Sequence, residues 1–313
     1  MVDISKFPRG LPDAPERDNI TPNSTWLAPE RVKAHPHWQF ETGKILLSRE
    51  GDQLIGVEDN RHLMTVAGSR AGKGVSAIVP NLLVYPGSVL VLDPKGDNAV
   101  ITARRRKEMG QHVYILDPFG VCDGLPVASY NPLDIIDINS DFCVDDAALI
   151  ADAIIIDAKG DNQYFTSAAK NWIRGLILHI CALEPDHSRN LVTLREMLTA
   201  SESVRAGLIE EMQNNPAAFG VIRRAANAME GKGEKERAAV LATAIEQTDF
   251  LDSPALQRVL TRSDFSLYDL KAERGISVFL SLPAGRMPTH ARWFRIFVNL
   301  ALEALERRAK PPK

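Results

Sequence analysis

One short glycine-rich segment combines the residue types that bind phosphate. It runs Ala67-Gly68-Ser69-Arg70-Ala71-Gly72-Lys73-Gly74 and is followed by Val75. Small residues allow several backbone N–H groups to point at one anion, and a helix that begins here adds the positive end of its dipole. A lysine at the end of such a turn reaches the β- and γ-phosphates of a nucleotide. We therefore predict a nucleotide-binding loop over residues 68–75, with Lys73 as its catalytic residue.

The loop departs from the strict GxxxxGK[ST] phosphate-binding pattern at two positions. Ala67 takes the place of the first glycine, and Gly74 replaces the hydroxyl residue that normally coordinates magnesium. Ser76 is no direct substitute, because two residues along a helix turn a side chain by about 200° around the axis. The alternative is a glycine-rich connector with Lys73 as a solvated helix-start residue. The apolar stretch before the loop and the helical stretch after it favour the phosphate loop.

Charged residues also follow the next apolar stretch, SVLVL at residues 88–92. Asp93, Lys95 and Asp97 come directly after it. Asp117 likewise follows the next apolar run, HVYIL at residues 112–116. Open α/β sheets bind ligands at the carboxyl ends of their strands, so Asp93 and Lys95 are further candidates for nucleotide contacts. The alternative is a plain strand-to-helix turn in which Asp97 caps the next helix. The residue pattern leaves both interpretations open.

Arginines form three further candidate sites. The run Arg104-Arg105-Arg106-Lys107 either contacts DNA or is a solvated helix face, since consecutive residues point to all sides of a helix. Arg223-Arg224 is a smaller candidate for DNA contact. Arg292 and Arg295, near the start of the last helical stretch, either reach a nucleotide across a ring interface or pair with acids of their own chain.

Apolar runs of strand length alternate with helical stretches along the chain. We predict strands at residues 62–67, 88–93, 112–117 and 275–283, and helices from near residue 73, over 98–109, over 162–180 and over 290–308. Near-continuous apolar strands separated by helices indicate a parallel sheet that is covered on both faces. The runs 44–50 and 53–59 flank Gly51-Asp52 and predict a β-hairpin. The fold class is therefore α/β.

These patterns divide the chain into four segments. Residues 1–60 form an N-terminal arm and the hairpin, and residues 61–140 form the first part of a nucleotide-binding domain. Residues 141–264 have almost wholly helical patterns and predict an all-α insertion domain. Residues 265–313 return to a strand and a helix, which form an incomplete second part of the nucleotide-binding domain.

The composition excludes several classes of protein. Lysine and arginine number 37 against 40 acids, for a net charge of −3. Any DNA contact must therefore come from a local patch of cations. The three cysteines, Cys122, Cys143 and Cys181, have no CxxC spacing and predict reduced thiols instead of a disulfide framework or a zinc site. Prolines interrupt the longest uncharged run, residues 74–92, so we predict no transmembrane helix.

Several segments together resemble the type IV secretion coupling proteins, the TraG/TraD-type conjugation ATPases. The specific part is GSRAGKGVSAIVPNLLVYPGSVLVLDPKGD, residues 68–97. It is similar to the family's GKG loop, I-x-P-x-L-L helix, PGS turn and D-x-KG-[DE] strand end, in that order. YILDPFG at 114–120, YNPLD at 130–134, the helix at 162–180 and the strand ISVFLSLP extend the resemblance from about residue 62 to the C-terminus.

The resemblance implies a RecA-like P-loop NTPase sheet with an all-α insertion domain, and ATP and Mg²⁺ as cofactors. It further implies a homo-hexameric motor on the cytoplasmic face of the inner membrane. In that family, ATP hydrolysis is coupled to delivery of a relaxase–DNA complex into the secretion channel. The implied partners are that complex, DNA itself and the inner-membrane components of the secretion system.

Two departures from the family limit this expectation. Family members usually begin with transmembrane helices, and we predict none here. Their acidic Asp-Glu strand, which positions magnesium and the attacking water, follows the helix that is 290–308 in this sequence. We therefore expect a chain truncated before half of its catalytic apparatus. The alternative function is a nucleotide-dependent binding module that does not hydrolyse ATP.

Overall fold

The structure is a computed structural model that describes residues 29–59, 61–157, 163–183 and 189–307. The described residues form two compact units, and the boundary between the units lies between His62 and Leu63. In the first unit, helix α1 (Pro29–Ala34) precedes strands β1 (Ile45–Glu50) and β2 (Gln53–Val57). The two strands pair antiparallel, which confirms the predicted hairpin. Residues 1–28 of the predicted N-terminal arm lie outside the described residues.

Three parallel strands form the sheet of the second unit, in the order β3–β5–β4. They are β3 (Val89–Leu92), β4 (His112–Leu116) and β5 (Ile276–Leu280). Leu280 of β5 pairs in register with Leu92 on one side and with Leu116 on the other. The predicted strands at 88–93, 112–117 and 275–283 are thereby confirmed, and the strand that comes last in the chain is the central one.

Helices make up most of the second unit. The helix after the glycine-rich loop begins as a π-helical turn over Gly74–Ile78 and continues as α2 (Val79–Val84). The others are α3 (Asp97–Glu108), α4 (Cys143–Ile154), α5 (Gln163–Ala182), α6 (Leu191–Thr199), α7 (Glu202–Asn214), α8 (Val221–Glu230), α9 (Glu234–Gln247), α10 (Pro254–Leu260) and α11 (Met287–Arg307). Within the described ranges, none of these helices is long and apolar enough to span a bilayer.

Alternate strand residues enter two hydrophobic clusters on opposite faces of the sheet. Ile115 and Phe279 lie in the cluster that contains Leu82 of α2 and Ala99 of α3. Their neighbours along the strands belong to a larger cluster, together with α11 and the helices between residues 143 and 260. Because side chains of a strand point alternately to its two sides, this pattern shows a sheet covered on both faces, as the sequence predicts.

The larger cluster is continuous from the sheet into the helical region. Ile150 of α4 and Ile173 of α5 are fully buried in the same cluster as Val278 of β5. Trp293 and Phe297 of α11 are also fully buried there. Helix α11 therefore packs within a core that the strands and the helices of residues 143–260 share.

The prediction of a strand at residues 62–67 is wrong. This segment belongs to no sheet of the described structure, and Leu63, Met64 and Val66 are 56%, 87% and 85% exposed. A strand satisfies its backbone N–H and C=O groups only by pairing with a neighbour. Since no described strand lies beside it, the apolar run remains irregular.

Candidate nucleotide-binding site

The glycine-rich segment forms a tight loop that leads into a helix. The Ala71 N–H donates to the Gly68 carbonyl at 3.3 Å, and the Ser76 N–H donates to the Gly72 carbonyl at 2.9 Å. Gly72 has a φ of +86°, in the left-handed region that favours glycine, and Arg70 adopts a φ of +60°. Residues 70–75 line a shallow and largely open hollow of about 320 Å³.

Gly68 and Gly74 are not required by the packing of the protein itself. A Cβ atom at either position would meet no other atom within 4 Å, and neither residue has a positive φ. Gly74 lies in the first turn of the helix, where neither packing nor the backbone conformation requires a glycine. The open space beside both residues is what a ligand needs in order to approach the backbone closely, and it suits the phosphates of a nucleotide.

Lys73 directs its ammonium group back into the loop. Its Nζ atom donates to the carbonyls of Ala67 and Gly68, at 2.8 Å each. In the described part of the chain, it forms no ion pair with an acid. A phosphate that accepts hydrogen bonds from the loop amides would therefore meet a positive charge that no carboxylate neutralises.

Asp93 lies buried immediately after β3 and holds the start of α3. Its Oδ2 atom accepts the Ala99 N–H at 2.9 Å, and its Oδ1 atom accepts the Asn98 side-chain amide at 3.1 Å. Burial raises the pKa of Asp93, while these two hydrogen bonds act in the opposite direction. Gly96 is the N-cap residue of α3 and Asp97 is already the first residue of the helix, so the interpretation in which Asp97 caps the helix is wrong. Lys95 is exposed in the turn between them.

Buried polar residues line the carboxyl edge of the sheet. Asp93, Ser281 and Asp117 directly follow the last paired residues of β3, β5 and β4. The Asp117 Oδ2 atom accepts the Cys122 N–H at 2.6 Å, whereas its Oδ1 atom is buried without a partner. The Cys122 thiol lies 3.1 Å from the Ser281 hydroxyl, and burial raises its pKa to about 11.

Sequence reasoning noted the two aspartates but missed Ser281 and Cys122. Their only signal was position, because Ser281 follows a strand and Cys122 lies in the loop after another. Among the described residues, no group of three or more side chains forms a metal-binding cluster. All three cysteines are unpaired, which confirms the prediction of reduced thiols.

The basic run on α3 is not one continuous surface. The side chain of Arg104 is 92% exposed and pairs with Glu108 at 3.0 Å. Arg106 is fully buried and donates its hydrogen bonds within the fold. The run therefore cannot contact DNA as a unit, and the solvated-face interpretation fails for Arg106 as well.

The two arginines considered as fingers across a ring interface bond within this chain. Arg292 donates to the Gln247 side chain, and Arg295 donates to the Asp152 carbonyl, both at 3.0 Å. These partners lie on α9 and α4. Both arginines therefore connect α11 to the helical region in this structure.

The fold and the loop define a class of protein. A parallel sheet covered on both faces, with a glycine–lysine loop at the start of a helix, agrees with the expected RecA-like P-loop NTPase fold, except that no described strand directly precedes the loop. The plasmid coupling protein TrwB in complex with an ATP analogue has this fold, with a TM-score of 0.56 at 15% identity over 79% of this chain and 53% of that one. Unbound TrwBΔN70 gives a TM-score of 0.53, also at 15% identity, over 79% of this chain and 51% of that one.

Residues 16–312 match the family model for type IV secretory system conjugative DNA transfer, and the chain belongs to that family. The type IV secretion system-coupling protein VirD4 of Bartonella quintana is 29% identical over 254 residues, which are 78% of this chain and 39% of that protein. A conjugal transfer protein TraG of Escherichia coli is 28% identical over 280 residues, or 86% and 42% of the two chains. The match thus spans about two fifths of these relatives' length. The resemblance predicted from the sequence is confirmed.

Proposed function

We propose that this chain is the nucleotide-binding part of a type IV secretion coupling protein that binds ATP and Mg²⁺. The loop geometry carries the proposal: an open hollow, two glycines that packing does not require, and a lysine that pairs with no acid of the described residues. Family membership supports it, and the related TrwB has been observed with an ATP analogue. ATP hydrolysis would drive transfer of a relaxase–DNA complex into the secretion channel.

Each part of the loop has a role in this proposal. The amides of residues 68–75 donate to the phosphate oxygens, and Lys73 neutralises their charge. Asp93 and Lys95, at the turn after β3, complete the proposed set of nucleotide-proximal residues. Magnesium would neutralise phosphate charge when bound. Because Gly74 has no hydroxyl group, the loop offers no side-chain ligand to the metal at that position.

We extend the proposal to the setting of the whole protein. It would act as a homo-hexamer on the cytoplasmic face of the inner membrane, with the inner-membrane components of the secretion system and the relaxase–DNA complex as partners. The names of the relatives, a type IV secretion system-coupling protein and a conjugal transfer protein, support the secretion and transfer part of this setting. The helical region, residues 141–264, would provide the surface for the transferred substrate.

Replacement of Lys73 by alanine tests nucleotide binding. We expect Lys73→Ala to weaken binding of a fluorescent ATP analogue at least about tenfold, because a charge-assisted contact to the phosphates is lost. Lys232→Ala is a matched control. It lies in a second Gly-Lys-Gly sequence, but its ammonium is paired with Glu236 at 2.7 Å. Equal affinity of Lys73→Ala and the parent chain would refute the phosphate loop.

A nucleotide-dependent binding module without hydrolysis is the second candidate function. Asp93 favours it, because both of its carboxylate oxygens already accept hydrogen bonds within the fold. A carboxylate held in this way is poorly placed to orient an attacking water. Steady-state ATPase measurement separates the two candidates. Near-background turnover with intact binding supports the module, and turnover of about one per second or faster supports the motor.

A further inference from the structure

The turn between α7 and α8 presents an aromatic ring to solvent. Phe219 is 61% exposed, and its ring stacks on no other aromatic ring of the described chain. Phe219 and the preceding Ala218 have φ values of +55° and +49°. Residues other than glycine rarely adopt this left-handed conformation, and two in succession are strained. The fold thus maintains an unfavourable backbone at the point where it exposes Phe219.

Hydrogen bonds beneath the ring hold this turn in place. Ala218 is buried, and the Gly220 N–H donates to the carbonyls of Pro216 and Ala217 at 3.3 and 3.1 Å. From α8, the Arg224 Nη1 atom donates to the Phe219 carbonyl at 3.1 Å. The backbone of Phe219 is therefore anchored, while its ring remains open to solvent.

The chain segment that contains Phe219 has cations but no acids. From residue 212 to residue 229 the sequence contains two arginines, Arg223 and Arg224, and no acid, although the whole chain has a net charge of −3. Both arginines are exposed, and neither forms an ion pair with an acid that the structure describes. Side chains of a helix slant toward its N-terminus, which here is the end nearer to Phe219. An exposed aromatic ring and two exposed cations thus lie close together in the chain, with Arg224 in contact with the backbone of Phe219.

We propose that Phe219, Arg223 and Arg224 form a contact site for single-stranded DNA. One base stacks on the Phe219 ring, and the adjacent phosphates pair with the two guanidinium groups. Stacking on aromatic rings combined with cationic contacts to the backbone is how proteins bind single strands without sequence preference. A duplex keeps its base faces stacked and offers the ring no partner. This inference rests on the proposed function, which supplies DNA as the substrate.

Fluorescence anisotropy with a labelled oligothymidylate tests the site at low salt. We expect Phe219→Asn to weaken binding by about fivefold to a hundredfold, the effect of losing one stacked base. Asparagine tolerates the left-handed backbone, so the turn is preserved. Phe219→Tyr keeps an aromatic ring and should bind like the parent chain. Phe142→Asn removes a ring that is exposed to a similar degree elsewhere and should also leave binding unchanged.

The arginines are tested through the salt dependence. Arg223→Gln should reduce the slope of log affinity against log salt by about 0.7, the value for one phosphate contact to a single strand. Equal binding by the parent and Phe219→Asn, or no binding by the parent chain, would overturn the inference. The inference would also be overturned if polyglutamate displaced the oligonucleotide equally from the parent chain and from Phe219→Asn, since that result indicates a surface for acidic protein. The fluorescent-ATP titration of Lys73→Ala is independent of all these results and tests the proposed function separately.

Discussion

Two glycines of the phosphate loop, Gly72 and Gly74, differ in what a side chain at their position would disturb. Gly72 has a φ of +86°, which a side chain would strain. Gly74 begins the π-helical turn without a positive φ, and there is open space where a Cβ atom would lie. A substitution at Gly72 therefore acts on the fold, whereas a substitution at Gly74 acts on the space available to a ligand.

This difference predicts opposite effects on stability and binding. Gly74→Ala should raise the free energy of unfolding by about 0.5–1 kcal/mol, because alanine loses less backbone entropy in a helix. It should weaken binding of the fluorescent ATP analogue, because the methyl group occupies the space beside the phosphates. Gly72→Ala, the matched control, should lower stability by about 1 kcal/mol or more. Urea unfolding and nucleotide titration measure both effects, and unchanged affinity in Gly74→Ala would place the phosphates elsewhere.

At the scale of the elements, a buried arginine of helix α3 connects the end of helix α2 to the sheet by hydrogen bonds. Arg106 of α3 donates to the carbonyls of Tyr85 at 2.5 Å and Gly87 at 2.6 Å, in the turn between α2 and β3. It also donates to Gln111 at 2.6 Å and to Ser277 of β5 at 2.8 Å. Burial lowers the pKa of Arg106 to about 10. The end of the helix that begins at the phosphate loop thereby becomes part of the core.

Loss of this arrangement should be costly. Arg106→Lys keeps the charge but cannot reproduce the planar set of donors, so several buried carbonyls lose their partners. We expect a loss of about 3 kcal/mol or more in the free energy of unfolding. Arg104→Ala on the same helix should change it by less than about 1 kcal/mol, since its ion pair with Glu108 is exposed. Urea denaturation of both variants provides the comparison, and equal stabilities would show that the buried hydrogen bonds contribute little.

At the scale of the whole molecule, the shared core couples the helical region to the sheet. Ile173 of α5 and Val278 of β5 are both fully buried in one hydrophobic cluster. Removal of either group of elements would expose apolar surface on the other, which costs about 25 cal/mol for each Å². The two regions should therefore unfold together.

Native-state hydrogen exchange provides the measurement. We expect the most protected amides of α5 and β5 to exchange with the same opening free energy, through a single global transition. Peptides of the β1–β2 hairpin, which belong to the other compact unit, serve as an internal reference. If α5 stays protected under conditions in which β5 exchanges, residues 141–264 form an independently folding domain.

Much of this protein can be predicted from its sequence. Strands β3, β4 and β5, helices α3 and α11 and the loop at residues 68–75 follow from local signals, namely apolar runs, helical periodicity and the conformational range of glycine. The resemblance to the family, as the sequence alone reveals it, rests mainly on one segment, residues 68–97. These features are local because a few consecutive residues suffice to encode them.

The remaining features depend on residues far apart in the chain. Pairing across 188 residues, as between Val89 and Ser277, makes the last strand the central one, and without a paired neighbour the run at 62–67 forms no strand. In the sequence, Arg106 is one of four consecutive basic residues. In the fold it is buried and donates a hydrogen bond to a carbonyl of the turn after α2. The exposure of Phe219 likewise depends on how α7 and α8 pack. Hydrogen-bond pairing and burial are properties of the assembled chain, and for that reason only the tertiary structure decided them.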